Sequence, residues 1–353
     1  MNRTEFGLPI IVLVLLGIGL LALSTAAKSM DFVYKQAGFA VAGLLVAAIV
    51  LIVGRKRIVD LAFPIYWLSI VLLVVTRFIG SEKNGAKSWL EIGPLPSFQP
   101  SELAKITLVI VLAIVLHEKP IRHIKDYFVA IVLIFIPFAL VLLEPDLGSA
   151  LVIAAIGAGT ILVRGIPWKH LVVFVALFAV LIPLAWPKLK PHQKTRIIAF
   201  INPEADPQGS GYQVIQSRIA IGSGGLYGKG YKKGTQAQLG FIPYRYADFI
   251  FPVIAEEGGF VVAFGLILIY LLLFWRLASM AAECIFERDQ FIITGILIFI
   301  SFQVLVNIGV SLGLAPVTGI TLPLISYGGT SLVSTILAFS LAYVVHRDRY
   351  KDY

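Results

Sequence analysis

Ten apolar runs, each near the length that crosses a hydrocarbon core of ~30 Å, recur from one end of the chain to the other. They lie at 8–27, 37–53, 58–79, 101–116, 127–143, 150–163, 170–187, 250–275, 291–313 and 322–345. No water is present inside a bilayer to take up backbone N–H and C=O groups, so each run must satisfy its own as a helix. The expected fold is an all-α polytopic membrane protein with about ten transmembrane helices. Composition agrees: 58 % of the 353 residues are hydrophobic and 14 % charged, against about 25 % charged in soluble domains. The sixth run is short and the ninth contains Asn307, which makes these two the least regular.

Basic residues set the expected orientation, because short loops rich in Lys and Arg stay in the cytoplasm. With the N-terminus inside, the inner segments collect Arg55, Lys56 and Arg57, then Lys119, Arg122 and Lys125, and finally Arg347, Arg349 and Lys351. The short outer segments hold only Lys28, Lys35, Arg77, Lys83 and Lys87. Both termini are thus expected in the cytoplasm, and the first run reads as an uncleaved span. The net charge of +9 follows from this bias and the long outer loop, so no nucleic-acid partner is implied. The single cysteine, Cys284, has no partner for an internal disulfide.

The chain reads as one integral membrane domain, 1–353, with one large extracytoplasmic loop, 188–249, between the seventh and eighth spans. That connection is far longer than usual and points to function. Its QVIQSRIAI stretch is patterned for a short amphipathic helix, and GSGGLYGKGYKKGTQ then mixes glycines with Lys229, Lys232 and Lys233. Backbone N–H groups and ammoniums together suit a pyrophosphate; a basic loop near acidic membrane lipids fits the composition equally.

Polar residues in or beside the spans gather on the outer side. Glu102 and Lys105 stand three apart on one helix face, as a self-neutralising pair or a substrate contact. Glu144 and Asp146 lie at the same level, and the Gly- and Pro-containing stretch 314–332 predicts broken backbone lining a cavity. ADFIFPVIAEEGGF, 247–260, holds three carboxylates. A helix starting near Asp248 carries Glu256 and Glu257 about 12–13 Å deeper at 1.5 Å per residue. Asp248 would stay at the mouth, as a helix N-cap or as a catalytic group, and the deeper pair would be structural or proton-sharing.

Six separated blocks now resemble one family in order: QPSELAK (99–105), EPDLGSA (144–150), DPQGSGYQVIQSRIAIGSGGLYGKG (206–230), GTQAQLGFIP (234–243), ADFIFPVIAEE (247–257) and LAPVTGITLPLISYGGTSL (314–332). They resemble the SEDS family (shape, elongation, division and sporulation), and the AEE after ADFIFPVI is similar to its rod-shape, elongation type. The resemblance implies a peptidoglycan glycosyltransferase that polymerises lipid II at the outer face of the cytoplasmic membrane. It places the family's essential aspartate at Asp248 and a Glu–Lys pair at Glu102 and Lys105. Family members commonly have Glu-Arg-His-Thr before that aspartate, whereas this chain has Tyr244, Arg245, Tyr246 and Ala247.

On that reading Asp248 is the expected base or metal-associated carboxylate, with Mg2+ or Mn2+ as the implied divalent cation. Glu102, Lys105, Asp146, Arg196, Lys229 and Ser326 are the expected substrate-binding residues. A class B penicillin-binding protein is the implied partner. Flipping of a lipid-linked precursor is the competing activity, but transporters bind at the midplane between repeats, and this chain has no evident internal repeat.

Overall fold

The computed structural model describes residues 7–27, 29–83, 86–91, 93, 96–118, 123–167, 169–170, 172–173, 187, 191–206 and 209–350. Among them the helices are α1 (Gly7–Ala26), α2 (Met30–Asp60), α3 (Ala62–Ile79), α4 (Pro100–Glu118), α5 (Phe128–Leu143), α6 (Leu147–Arg164), α7 (Pro191–Ile201), α8 (Ser210–Ser223), α9 (Thr235–Gln238), α10 (Ile250–Ala282), α11 (Glu287–Leu312) and α12 (Gly329–Arg347). A small antiparallel hairpin, β1 (Ser81–Lys83) with β2 (Ala86–Trp89), follows α3. Nine of these helices are long and apolar enough to cross a membrane. They correspond to nine of the ten apolar runs; the seventh, 170–187, lies almost wholly outside the described residues.

Burial ranks the spans. The apolar stretch of α4 is 78 % enclosed, against 17 % for α2, so α4 is the central post and α2 leans its other face toward lipid. Around α4 stand α3, α5, α6 and α11, while α2 packs along α12 and α1 along α10. Lipid supplies no hydrophobic drive between helices, so close approach through small residues does the joining. Gly295 of α11 meets Val109 of α4, and Gly157 of α6 meets Ile134 of α5.

Two spans are broken at glycines. In α2 the break is Gly54, beyond which the same helix continues through the basic residues Arg55–Arg57. There Arg55 pairs with Asp289 and its backbone N–H donates to Asp348, so α2, α11 and the end of α12 are tied together.

In α10 the break is Gly259, with φ 70° and ψ −171°. The long connection repairs it: Lys229 and Gly230 N–H donate to the carbonyls of Glu256 (3.0 Å) and Glu257 (2.9 Å). Phe260 and Val261 N–H donate to the carbonyls of Gly225 (2.8 Å) and Leu226 (3.2 Å). Irregular backbone in a span is tolerated where other protein takes up its polar groups, and residues 225–230 do so here. The glycines are needed because a Cβ at Gly228 or Gly259 would run into the opposing backbone.

The sequence expectation of an amphipathic helix near 213–221 corresponds to α8, which docks on the bundle. Ser217 Oγ donates to the Ser311 carbonyl at 2.6 Å, and Arg218 Nε to that of Leu312 at 3.0 Å. The last span starts at Gly329, not near 322, because residues 313–328 are non-helical.

Candidate active site

Asp248 sits in the turn that leads into α10. The helix begins at Ile250 with Phe249 as its N-cap and no side-chain cap bond, so the N-cap role open to Asp248 in the sequence is not taken. Three struts hold the turn by its carbonyls. Tyr327 N–H donates to Tyr246 at 2.8 Å, Ser326 Oγ to Ala247 at 2.6 Å, and Asn307 Nδ2 to Asp248 at 2.9 Å. From the other side Arg245 Nε donates to Ala26 at 2.7 Å, at the carbonyl end of α1. Tyr244 at φ 52° and Leu324 at φ 66° are non-glycine residues with left-handed backbone, one in each of the two segments that meet. Such conformations cost ~1–3 kcal/mol and persist only where the surroundings impose them.

The Asp248 carboxylate itself receives no hydrogen bond among the described residues. It faces the 318–320 segment, where a Cβ on Gly319 would lie 3.9 Å from Oδ2. Burial pushes its pKa up to about 6, the Arg196 guanidinium pulls against that, and the Asp146 carboxylate adds to it. Positions 146, 196 and 248, far apart in the chain, thus act on one another. Arg196, on α7, lines a shallow cleft with Ser210, Val214 and Pro316.

Asp146 caps α6 by accepting from Ser149 N–H at 3.0 Å and also accepts from Gln99 Nε2 at 2.8 Å. That bond joins it to the start of α4, where Lys105 Nζ donates to Glu102 at 2.8 Å in a buried pair. Ser334 Oγ donates to the other Glu102 oxygen at 2.6 Å, and the Lys105 ammonium lies 5.3 Å from the Phe299 ring centre. Ser326 is a strut rather than an open hydroxyl, since it donates to Ala247 and accepts from Leu322 N–H. Lys229 stands apart, its ammonium 2.7 Å from Glu256. Asn307, read from sequence only as an irregularity in an apolar run, belongs to the site; a lone amide in a span was the available signal.

Glu144 neighbours this group and is fully buried, with neither carboxylate oxygen hydrogen-bonded among the described residues. Burial first, then Asp146, raises its pKa to about 8, with Arg77 opposing. The folded state therefore holds this proton more tightly than the unfolded chain, and the associated stability is lost as pH rises from about 4.5 to about 8. The shift corresponds to an upper bound on the order of 5 kcal/mol. Glu144→Gln should flatten the fall in melting temperature over that range, so that its advantage over wild type grows with pH. Parallel curves for the two proteins would show that Glu144 does not titrate this way.

Residues 6–351 match the family described as cell cycle protein, FtsW/RodA/SpoVE. The chain is 36 % identical over 347 residues to peptidoglycan glycosyltransferase MrdB of Escherichia coli K12, covering 97 % of this chain and 94 % of that protein. Among solved structures it superposes with a TM-score of 0.87 and 42 % identity on a chain from work on structural coordination of polymerization and crosslinking by a peptidoglycan synthase complex, with 98 % of both chains covered. The rod shape determining protein RodA of Thermus thermophilus gives a TM-score of 0.76 at 36 % identity, again over 98 % of both chains.

Proposed function

Because the chain belongs to the FtsW/RodA/SpoVE family and is a multi-pass membrane peptidoglycan glycosyltransferase of the SEDS type, we propose that it polymerises lipid II during cell elongation, with Asp248 as the base. On this reading the Asp248 end of the bundle faces outward and both termini face the cytoplasm, an orientation supported by the distribution of basic residues. The observation that carries this reading is the Asp248 carboxylate: rigidly mounted by its backbone, partly buried, and uncommitted to any hydrogen bond among the described residues.

The 4-hydroxyl of one glycan attacks the anomeric carbon of the other. A C–O bond forms there as the bond to the undecaprenyl pyrophosphate oxygen breaks. Asp248 takes the hydroxyl proton, for which a pKa raised toward the working pH is the suitable tuning. A single displacement inverts the anomeric centre. Arg196, the cation within electrostatic reach of Asp248, balances the departing pyrophosphate. Lys105 is second in line, because Glu102 already neutralises it.

A divalent cation, Mg2+ or Mn2+, belongs to the same proposal. No group of three His, Cys, Asp or Glu able to hold a metal occurs among the described residues. The fitting donor is the hard, uncommitted carboxylate of Asp248, since both Asp146 oxygens already accept from Gln99 Nε2 and Ser149 N–H; water would complete the shell, as Mg2+ accepts. Bound there, the ion would supply positive charge opposite the pyrophosphate. A class B penicillin-binding protein is the proposed partner, in keeping with the synthase complex to which the chain is similar.

Purified protein incubated with lipid II, with and without that partner and Mg2+ or Mn2+, should yield a ladder of glycan products on a gel. Absence of products under every condition, together with lipid II scrambling in vesicles, would replace this reading with transport.

A further inference from the structure

Of the three struts under the catalytic turn, Asn307 is the one that comes from within a membrane-spanning helix. Its Nδ2 donates to two carbonyls at once, Asp248 at 2.9 Å and Ile320 at 2.8 Å. Both partners are acceptors, so only the NH2 end of the amide can face them, and the orientation is fixed by chemistry. The opposite end, Oδ1, is buried and has no partner among the described residues. An unsatisfied buried acceptor costs ~1–3 kcal/mol, and an apolar residue here would remove that cost only by leaving the Asp248 and Ile320 carbonyls without this donor.

Two carbonyl oxygens that face one another repel, and the amide between them turns that repulsion into a bridge. The segments it joins are the turn that carries Asp248 and the Thr318–Ile320 stretch that the carboxylate faces across Gly319. We propose that Asn307 is a positioning residue for the reaction: by bridging the Asp248 and Ile320 carbonyls it fixes the gap in which the acceptor hydroxyl meets the Asp248 carboxylate. This rests on the reading of Asp248 as the base. Misplacement of a reacting group by ~1 Å costs ~10²-fold in rate, whereas uniform substrate binding, made by other contacts, is left alone.

The test is a kcat and KM comparison on the purified full chain. Asn307→Leu is expected to lower kcat by about 10²-fold with KM within about twofold. Asn307→Ser, which can reach one carbonyl at most, should lose about tenfold and serves if the Leu variant does not fold. Gln303, one turn earlier on the same helix, is likewise a buried amide with an unpartnered oxygen. Gln303→Leu therefore controls for loss of a buried amide as such and should keep kcat within about twofold. Wild-type kcat in both Asn307 variants, or an equal loss in Gln303→Leu, overturns the proposal. Asp248→Asn run in parallel separates the two readings. If it is inactive while Asn307→Leu is normal, only the positioning role fails; if it polymerises normally, the assignment of Asp248 fails.

Discussion

Asp248→Asn is expected to lose polymerisation by about 10²–10⁴-fold, the usual contribution of a positioned general base, while the protein stays folded. The substitution keeps the shape of the side chain and removes its negative charge, and with it the capacity to accept a proton or to hold a cation. No hydrogen bond among the described residues is lost with the carboxylate, and the struts from Asn307, Ser326 and Tyr327 all end on backbone carbonyls that the variant retains. The raised pKa gives a second signature. A carboxyl whose folded pKa is about 6 is held protonated more tightly by the folded than by the unfolded chain. Stability is therefore surrendered as pH rises through about 4 to about 6, and the neutral amide avoids that loss. At pH 7.5 the variant should melt at or above the wild-type temperature, and wild-type polymerisation should rise with pH through about 6 as the base ionises. A folded variant that polymerises lipid II within a few-fold of wild type would remove Asp248 from the mechanism.

The spans were readable in the sequence because lipid leaves a chain one economical solution, and a run such as 101–116 or 127–143 states it directly. Boundaries were readable where a turn residue coincides with a change in polarity, as at Gly313, which takes the left-handed position after α11. They were not readable where apolar residues continue past the helix. TLPLIS at 321–326 looks like the start of a span, yet 313–328, with Pro316, Gly319, Pro323 and Gly328, stays non-helical until Gly329. The catalytic candidate stood out by its cost in lipid, but its alternative as an N-cap could be dismissed only once the helix was seen to begin at Ile250. Least legible was who meets whom. Neither the reach of Asp146 to Asp248 nor the bridge from Asn307 has any local pattern, because both are set by how α4, α6 and α11 pack.

Lys229 is where the fold redirects a sequence reading most, and it carries the second large effect. Placed among glycines, it was a candidate for the pyrophosphate; in the folded chain its ammonium lies on Glu256, whose side chain is fully buried. The same carboxylate also accepts from Thr235 Oγ1 at 3.1 Å, Gln236 N–H at 2.9 Å and Ala237 N–H at 3.2 Å. One buried acid thus gathers residues 229–237, and the overlapping stretch 225–230 closes the break at Gly259 with four backbone hydrogen bonds. Glu256→Leu would leave the lysine and two backbone donors without their acceptor, and is expected to cost on the order of 3–5 kcal/mol. Lys229→Met should cost less, about 1–3 kcal/mol, because the lysine is partly solvated and three donors still face the carboxylate. The double variant should lose less than the sum of the two, since it no longer strands a charge. Chemical denaturation of the detergent-solubilised protein, followed alongside polymerisation, measures all three. If Lys229→Met left stability unchanged and abolished polymerisation, the ammonium would belong to the substrate after all; a stability loss shared non-additively with Glu256→Leu makes it the clamp that keeps the broken helix, and the turn before it, in place.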